Sequence, residues 1–255
     1  GVECIRLYCE PNGDFPHDPE PLPENLTVTA NLVVEEKADF GIAVDPDVDR
    51  LAFICEDGTM FGEEYTLVAV SDYVLSKTPG NTVSNLSSTR ALRDITLKHK
   101  GTYEASSVGE VNVVEKMKAT NAIIGGEGNG GIIYPELHYG RDALVGVALF
   151  LTQLAEKEIS VRELRDSYPN YFMSKNKIEL DHEMNVDVVL SILEHNYNGE
   201  QISTIDGLKI DFENGWVHLR KSNTEPIIRI YAESEGEVEA NALAEKMINE
   251  IKALF

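Results

Sequence analysis

Six residues, Asp45-Pro-Asp-Val-Asp-Arg50, separate two short apolar runs, Phe40-Gly-Ile-Ala-Val44 and Leu51-Ala-Phe-Ile54. The runs are too short for helices and have the composition of buried strands. A chain that folds around them must turn between two strands and carry three carboxylates at the turn. Alternate residues of an extended segment point the same way, so Asp45, Asp47 and Asp49 can converge on one point. Three anionic groups so close repel one another unless a cation sits between them. A calcium hand is excluded: Arg50 stands where that loop needs glycine, and the flanks are strand-like rather than helical. Three monodentate carboxylates leave open positions on a hard cation, which suits Mg2+ shared with a phosphate oxygen. Arg50, beside such an ion, is placed to stabilise charge on a phosphoryl group in transfer.

Around this loop the pattern alternates. Residues Glu10 to Pro23, with five prolines, predict an extended loop, and Asn25 to about Glu36 a short helix. Gly62 to Ser76 follows as a helix with Leu67, Val70, Val74 and Leu75 on one side, and Thr78-Pro-Gly80 ends it. From Asn81 onward, strand-like Thr82–Leu86, helical Thr89–Lys100, strand-like Thr102–Ala105, helical Val108–Ala119 and strand-like Asn121–Ile124 succeed one another. After a glycine-dense loop and Ile132-Ile-Tyr134, a long apolar helix is expected from Asp142 to Lys157. This alternation predicts a mostly parallel sheet with helices on its faces. Beyond Pro169 the pattern changes. Strands at Lys175–Leu180, Leu208–Phe212, Trp216–Leu219 and Ile227–Ala232 and helices at Val186–His195 and Glu237–Leu254 predict a small α+β domain. Its centre is a hairpin turned at Glu213-Asn-Gly215. The expected units are residues 1–79, 80–169 and 170–255.

Composition narrows the partners. A net charge of −22 argues against nucleic acid or an anionic membrane, which like charge repels. No apolar run approaches membrane-spanning length, and no basic-then-apolar leader opens the chain. Cys4, Cys9 and Cys55 are too few for a disulfide framework and fit free thiols in a reducing cytoplasm. The chain opens on Gly1 without an initiator methionine and is read as part of something longer.

Two further clusters carry chemistry. Gly125-Gly-Glu-Gly-Asn-Gly-Gly131 ends an apolar strand, where open α/β sheets bind ligands. It has neither the GxGxxG frame nor the lysine of a P-loop. Glu127 and Asn129 within it offer a carboxylate and a carboxamide suited to a neutral polyol such as a sugar ring. Arg220-Lys-Ser-Asn-Thr-Glu-Pro226, with Arg229 beyond it, gathers guanidinium, hydroxyl and amide groups into an oxyanion cradle, unusual in so acidic a chain.

In this order and spacing, the three motifs resemble those of the α-D-phosphohexomutases. That family's D-G-D-[GA]-D-R appears as Asp45-Pro-Asp-Val-Asp-Arg50, its G-E-x-S-G-H as Gly126-Glu-Gly-Asn-Gly-Gly131, and its R-x-S-[GN]-T-E-P as Arg220-Lys-Ser-Asn-Thr-Glu-Pro226. The resemblance covers essentially the whole chain. It implies two three-layer α/β/α mixed-sheet domains followed by a small α+β domain, the second to fourth domains of that family. It also implies Mg2+ on Asp45, Asp47 and Asp49, Arg50 as the catalytic residue, and ring hydroxyls on Glu127 and Asn129. The phosphate that is not reacting would rest on Arg220, Ser222, Asn223, Thr224 and Arg229. The implied substrate is a hexose or hexosamine phosphate, with the Asn-Gly-Gly loop leaning toward phosphoglucosamine mutase over the phosphomannomutase and phosphoglucomutase alternatives.

Two departures stand out. The T-A-S-H-N-P-like segment that carries the family's phosphoserine in a first domain has no counterpart here, and Ser87 and Ser88 do not replace it. The expectation is therefore that this chain binds but does not turn over. Gly131 also stands where the family has a candidate acid/base histidine; His138 is read as a surface residue. Two other classes stay open: a non-catalytic sugar-phosphate-binding module, and a phosphatase that uses the Asp loop directly.

Overall fold

Every residue of the strand Leu51–Cys55 is buried, which is why that run is continuously apolar. The computed structural model describes residues 1–179, 185–222 and 227–254. Helix α1 (Thr27–Glu35) covers one face of a hairpin formed by β1 (Phe40–Val44) and β2 (Leu51–Cys55). Leu26, Ala30 and Val33 pack there on Ala52 and Ile54. The alternate β2 residues Leu51, Phe53 and Cys55 face the other way, into the main core. Phe53 stacks on Phe150 there, with ring centroids 3.8 Å apart. Phe150 belongs to α5 (Ala143–Lys157), so the hairpin lies between two helical layers. Val44 pairs with Leu51, which closes the six-residue acidic loop at its base.

The next unit is a four-stranded sheet in the order β4 (Tyr103–Ser106), β3 (Asn81–Asn85), β5 (Ala122–Glu127), β6 (Gly131–Ile133). β3 runs parallel to β4 and β5, whereas β6 returns antiparallel from β5. Helix α4 (Glu110–Thr120) lies on one face through Val113 and Met117. On the other lie α2 (Glu63–Lys77) and α3 (Ala91–Lys98), with α5 beyond α2. The sequence predicted a one-sided α2. Instead, Tyr65 to Asp72 are all buried, because α2 is enclosed by β5, α3 and α5. A short helix, α6 (Val161–Asp166), begins in a capping box of Ser160 and Glu163.

The last unit is an antiparallel sheet in the order β7 (Phe172–Glu179), β11 (Ile227–Ser234), β10 (Gly215–Lys221), β9 (Leu208–Phe212), β8 (Gln201–Ser203). The sequence reading had not marked β8, a three-residue strand too short to show a period. The Leu180 end expected for β7 lies outside the described residues. Helices α7 (Val186–Asn196) and α8 (Glu237–Lys252) share one core with Val217 and Leu219 of β10. Strand alternation turns Trp216, His218 and Arg220 to the opposite face. That face docks on the middle unit. Lys209 Nζ donates to the Leu86 carbonyl at 2.9 Å, and Ser87 Oγ meets His218 Nδ1 at 2.8 Å. The Arg90 backbone N–H donates to Glu233 Oε1 at 3.0 Å. Among the described residues, no helix is long and apolar enough to cross a membrane.

Candidate functional site

Asp45, Asp47 and Asp49 do converge: one ligand oxygen from each lies within 4.8 Å of the others. Strand alternation is not what brings them together. The Val48 N–H bonds the Asp45 carbonyl at 3.1 Å, and Val48 takes a left-handed conformation at φ 58°. The loop is therefore a tight turn. Asp45 Oδ1 accepts the backbone N–H groups of Asp49 at 3.0 Å and Arg50 at 2.9 Å, which fixes the buried carboxylate within the turn. A β-branched residue rarely adopts positive φ, so Val48 marks backbone strain of order 1–3 kcal/mol that the surrounding structure must offset. Its carbonyl accepts the Ala143 N–H at the start of α5, one such anchor.

The charge balance fits a cation. Asp49 Oδ2 is paired with the Arg141 guanidinium, while Asp49 Oδ1 is buried with no hydrogen-bond partner. Burial, reinforced by the Asp45 and Asp47 carboxylates and opposed by Arg141, pushes the Asp49 carboxyl up to about 6. An all-oxygen donor set with one orphaned carboxylate oxygen is what a hard divalent ion binds. Arg50 completes the loop. Its Nη1 pairs with Glu20, from the proline-rich segment, and its Nε lies 3.6 Å from Asp45 Oδ2.

The glycine loop is held from below. Glu127 Oε1 accepts Asn85 Nδ2 at 2.9 Å and the Gly109 N–H at 3.1 Å. Glu127 Oε2 accepts Arg141 Nη1 at 3.2 Å. Ser88 Oγ donates to Asn85 Oδ1 at 3.0 Å and accepts the Gly128 N–H at 3.0 Å, so this serine buttresses the loop. Asn129, half-buried, accepts the Gly131 N–H on its Oδ1 at 3.2 Å. Gly130 has φ +82°, and a Cβ there would fall on the Leu51 carbonyl oxygen. The glycine loop thus lies directly against the strand that leaves the Asp loop.

Arg141 joins the two loops, and the sequence reading missed it. A signal was present: Arg141 precedes Asp142, which caps α5 by accepting the Val145 N–H. A cation at a helix N-terminus is disfavoured by the macrodipole, so it needs another reason to be there. Glu110 was missed as well; it accepts the Arg141 N–H at 3.0 Å and lies 3.5 Å from Arg141 Nε. His138 is an exposed histidine whose Nε2 meets Asp142 Oδ2 at 3.0 Å.

Arg220, Ser222 and Arg229 lie on the C-terminal unit. Arg220 and Arg229 are directly opposed in the β10–β11 ladder. Two guanidinium groups carried at opposed positions of one ladder suit an anion. Asp206 Oδ2 stands 4.0 Å from Arg220 Nε and accepts the Val108 N–H at 2.9 Å. Buried Ser222 donates its N–H to the Ile227 carbonyl at 3.0 Å. Asn223 and Thr224 lie outside the described residues. Burial lowers His218 to about 4, so it stays neutral where it meets Ser87.

Comparison with known proteins agrees across the chain. Residues 1–58 match the model of phosphoglucomutase/phosphomannomutase alpha/beta/alpha domain II, residues 62–171 that of domain III, and residues 156–250 that of the C-terminal domain. A phosphoglucomutase/phosphomannomutase of Thermococcus kodakarensis is 36% identical over 96% of this chain and 54% of its own length. A probable phosphoglucosamine mutase of Methanopyrus kandleri is 32% identical over 99% of this chain and 56% of its own. The crystal structure of a phosphoglucomutase/phosphomannomutase family protein from Burkholderia thailandensis superposes with a TM-score of 0.79. It is 24% identical and covers 93% of this chain and 52% of that one, so it speaks for the fold. The chain spans about half the length of the curated relatives it matches.

Proposed function

This chain belongs to the α-D-phosphohexomutase family, and from that premise we propose that it forms the metal-, sugar- and phosphate-binding part of a mutase. The reaction interconverts the 1- and 6-phosphates of a hexose or hexosamine, with glucosamine phosphate as the favoured substrate. The observation that carries this reading is the convergence of Asp45, Asp47 and Asp49 on one point, tied through Arg141 to Glu127. A phosphatase acting from the Asp loop alone would have no need of that tie to a polyol-reading carboxylate.

The division of labour follows from the groups present. Asp45, Asp47 and Asp49 would hold Mg2+, which when bound supplies neutralisation of phosphoryl charge. Arg50 faces the same carboxylates and adds a fixed positive charge beside them. Glu127 and Asn129 would hold ring hydroxyls in either orientation of the sugar. Arg220, Ser222, Asn223, Thr224 and Arg229 would hold the phosphate that is not reacting. A phosphoserine on the missing domain of the same protein donates its phosphoryl group. A P–O bond forms to a sugar hydroxyl as the bond to the serine oxygen breaks, and the hydroxyl proton passes to that oxygen. The bisphosphorylated sugar then turns over and returns its other phosphoryl group to the serine. Positioning and charge neutralisation carry most of the catalysis.

The test has two arms. The 255-residue chain is expected to bind Mg2+ by calorimetry, to lose that binding in Asp47→Ala, and to release no phosphate from hexose phosphates. Phosphate release that disappears in Asp47→Ala would instead establish the phosphatase. The longer protein, assayed with glucosamine, glucose and mannose phosphates, is expected to prefer the first. A strong preference for mannose phosphate refutes the glucosamine assignment, and absence of an upstream T-A-S-H-N-P-like segment refutes the mutase.

A further inference from the structure

Gly131 and Arg141 cannot both carry their side chains into the same space. A Cβ added at Gly131 would lie 2.5 Å from Arg141 Cδ and 3.2 Å from its Cγ. These are the middle of the arginine stem, not its free end, and the stem has little freedom to move aside. Its backbone N–H is fixed by Glu110, the neighbouring Asp142 caps α5, and its residue pairs with Ile133 beside β6. At the other end, Nη2 is paired with Asp49, Nη1 lies 3.2 Å from Glu127 Oε2, and Nε 3.5 Å from Glu110 Oε2. The side chain is 15% exposed. One guanidinium thus bridges three carboxylates that come from the Asp loop, the sugar loop and the start of α4.

We infer that Arg141 is a positioning residue that occupies the volume left by the side chain missing at Gly131 and couples the Asp loop to the sugar loop. This deepens the mutase reading and rests on it. Where the family motif has histidine, this chain has no side chain, and a permanent cation reaches the same place from ten residues further on. The physical consequence is a trade of a titratable group for a fixed charge. Arg141 holds Asp49 through Oδ2 and leaves Oδ1 open to a cation, while the same guanidinium orients the Glu127 carboxylate for ring hydroxyls. Ordering either loop by a ligand therefore helps to order the other, and the coupling is reciprocal.

Calorimetric titration of the 255-residue chain with Mg2+, and then with glucosamine 6-phosphate at saturating Mg2+, tests this. Arg141→Ala is expected to leave the Asp loop able to bind Mg2+, since removal of a competing cation does not weaken three carboxylates. It is expected to weaken the sugar phosphate about tenfold or more, the loss of a charge-assisted bridge. Arg141→Lys, which keeps the charge but not the fork, should fall between. Gly131→Ala should cause a similar loss, chiefly by pushing the arginine out of place, since its 3.1 Å approach to Asn129 Oδ1 is far milder than the 2.5 Å one to Arg141 Cδ; most of that loss should vanish when Arg141 is already Ala. That non-additivity is not produced by two unrelated structural defects. Sugar-phosphate affinity untouched by Arg141→Ala, or additive losses from the two substitutions, overturns the proposal and leaves the mutase reading standing. Failure of the unmutated, Mg2+-loaded chain to bind any hexose phosphate overturns both.

Discussion

Arg90→Met should loosen the joint between the middle and C-terminal units, because Arg90 holds the β9–β10 hairpin end by charge. Its side chain is 7% exposed. Its Nη2 donates to the Gly215 carbonyl at 2.7 Å and the Phe212 carbonyl at 3.3 Å, and its Nη1 to the Glu213 carbonyl at 3.2 Å. Asp211 Oδ1 lies 3.3 Å from Nη2. The short bond to Gly215 is worth about 1.5–3 kcal/mol as a charge-assisted pair, and that carbonyl, left buried without a donor, costs about 1–3 kcal/mol. The two longer bonds are weaker, and methionine removes the desolvation cost of the charge. The expected net loss is about 3–5 kcal/mol, the range for breaking a buried ionic contact. By contrast, Lys77 and Glu156 form an ion pair with side chains 52% and 47% exposed, so Lys77→Ala should cost far less. The chain's one tryptophan, Trp216, sits at this joint and donates to Glu233 Oε1 at 2.7 Å. Urea unfolding followed by its fluorescence should show an earlier transition in Arg90→Met, with a smaller slope as the C-terminal unit separates. A single unshifted transition, or a loss no larger than that of Lys77→Ala, refutes the reasoning.

Glu64→Gln should flatten the dependence of stability on pH. Burial raises the Glu64 carboxyl from 4.5 to about 8, although Lys175 opposes it. Between those values the folded chain keeps a proton that the unfolded chain releases. This contribution is therefore full below 4.5 and is lost as pH rises toward 8. At pH 7 the loss is about 3 kcal/mol, an upper figure from about 1.4 kcal/mol per pH unit; a urea midpoint that falls equally with pH in the variant refutes the assignment. Gly130→Ala must place a Cβ on the Leu51 carbonyl oxygen at φ +82°. A loss of about 2–4 kcal/mol is expected by thermal denaturation, and an unchanged midpoint would show that the loop moves away from β2 freely.

Much of the architecture was legible because it is written in short-range patterns. The unbroken apolar run Leu51–Ile54 announced a strand covered on both faces, and α1 and α5 cover it. Glu213-Asn-Gly215 announced the β9–β10 turn. The Asp loop was found for a reason that proved only half right: the carboxylates meet, but through a turn at Val48 with positive φ, not through strand alternation. Thr78-Pro-Gly80 marked the end of α2 without revealing that this helix would be enclosed by β5, α3 and α5.

The sequence by itself determined the elements, the order of the three motifs and the chemistry each offers, since periodicity, turn residues and side-chain type are local properties. Only the tertiary structure decided how the motifs are joined. Asp49 and Arg141 are 92 residues apart, Arg90 and Gly215 125 apart, and Ser87 and His218 131 apart. No local propensity encodes such pairs. They form because packing two apolar faces of the hairpin, and one polar face of the C-terminal sheet, brings each buried polar group against partners able to satisfy it. The three carboxylates were visible from residues 45 to 49; the arginine that ties them to the glycine loop became visible only when the chain was folded.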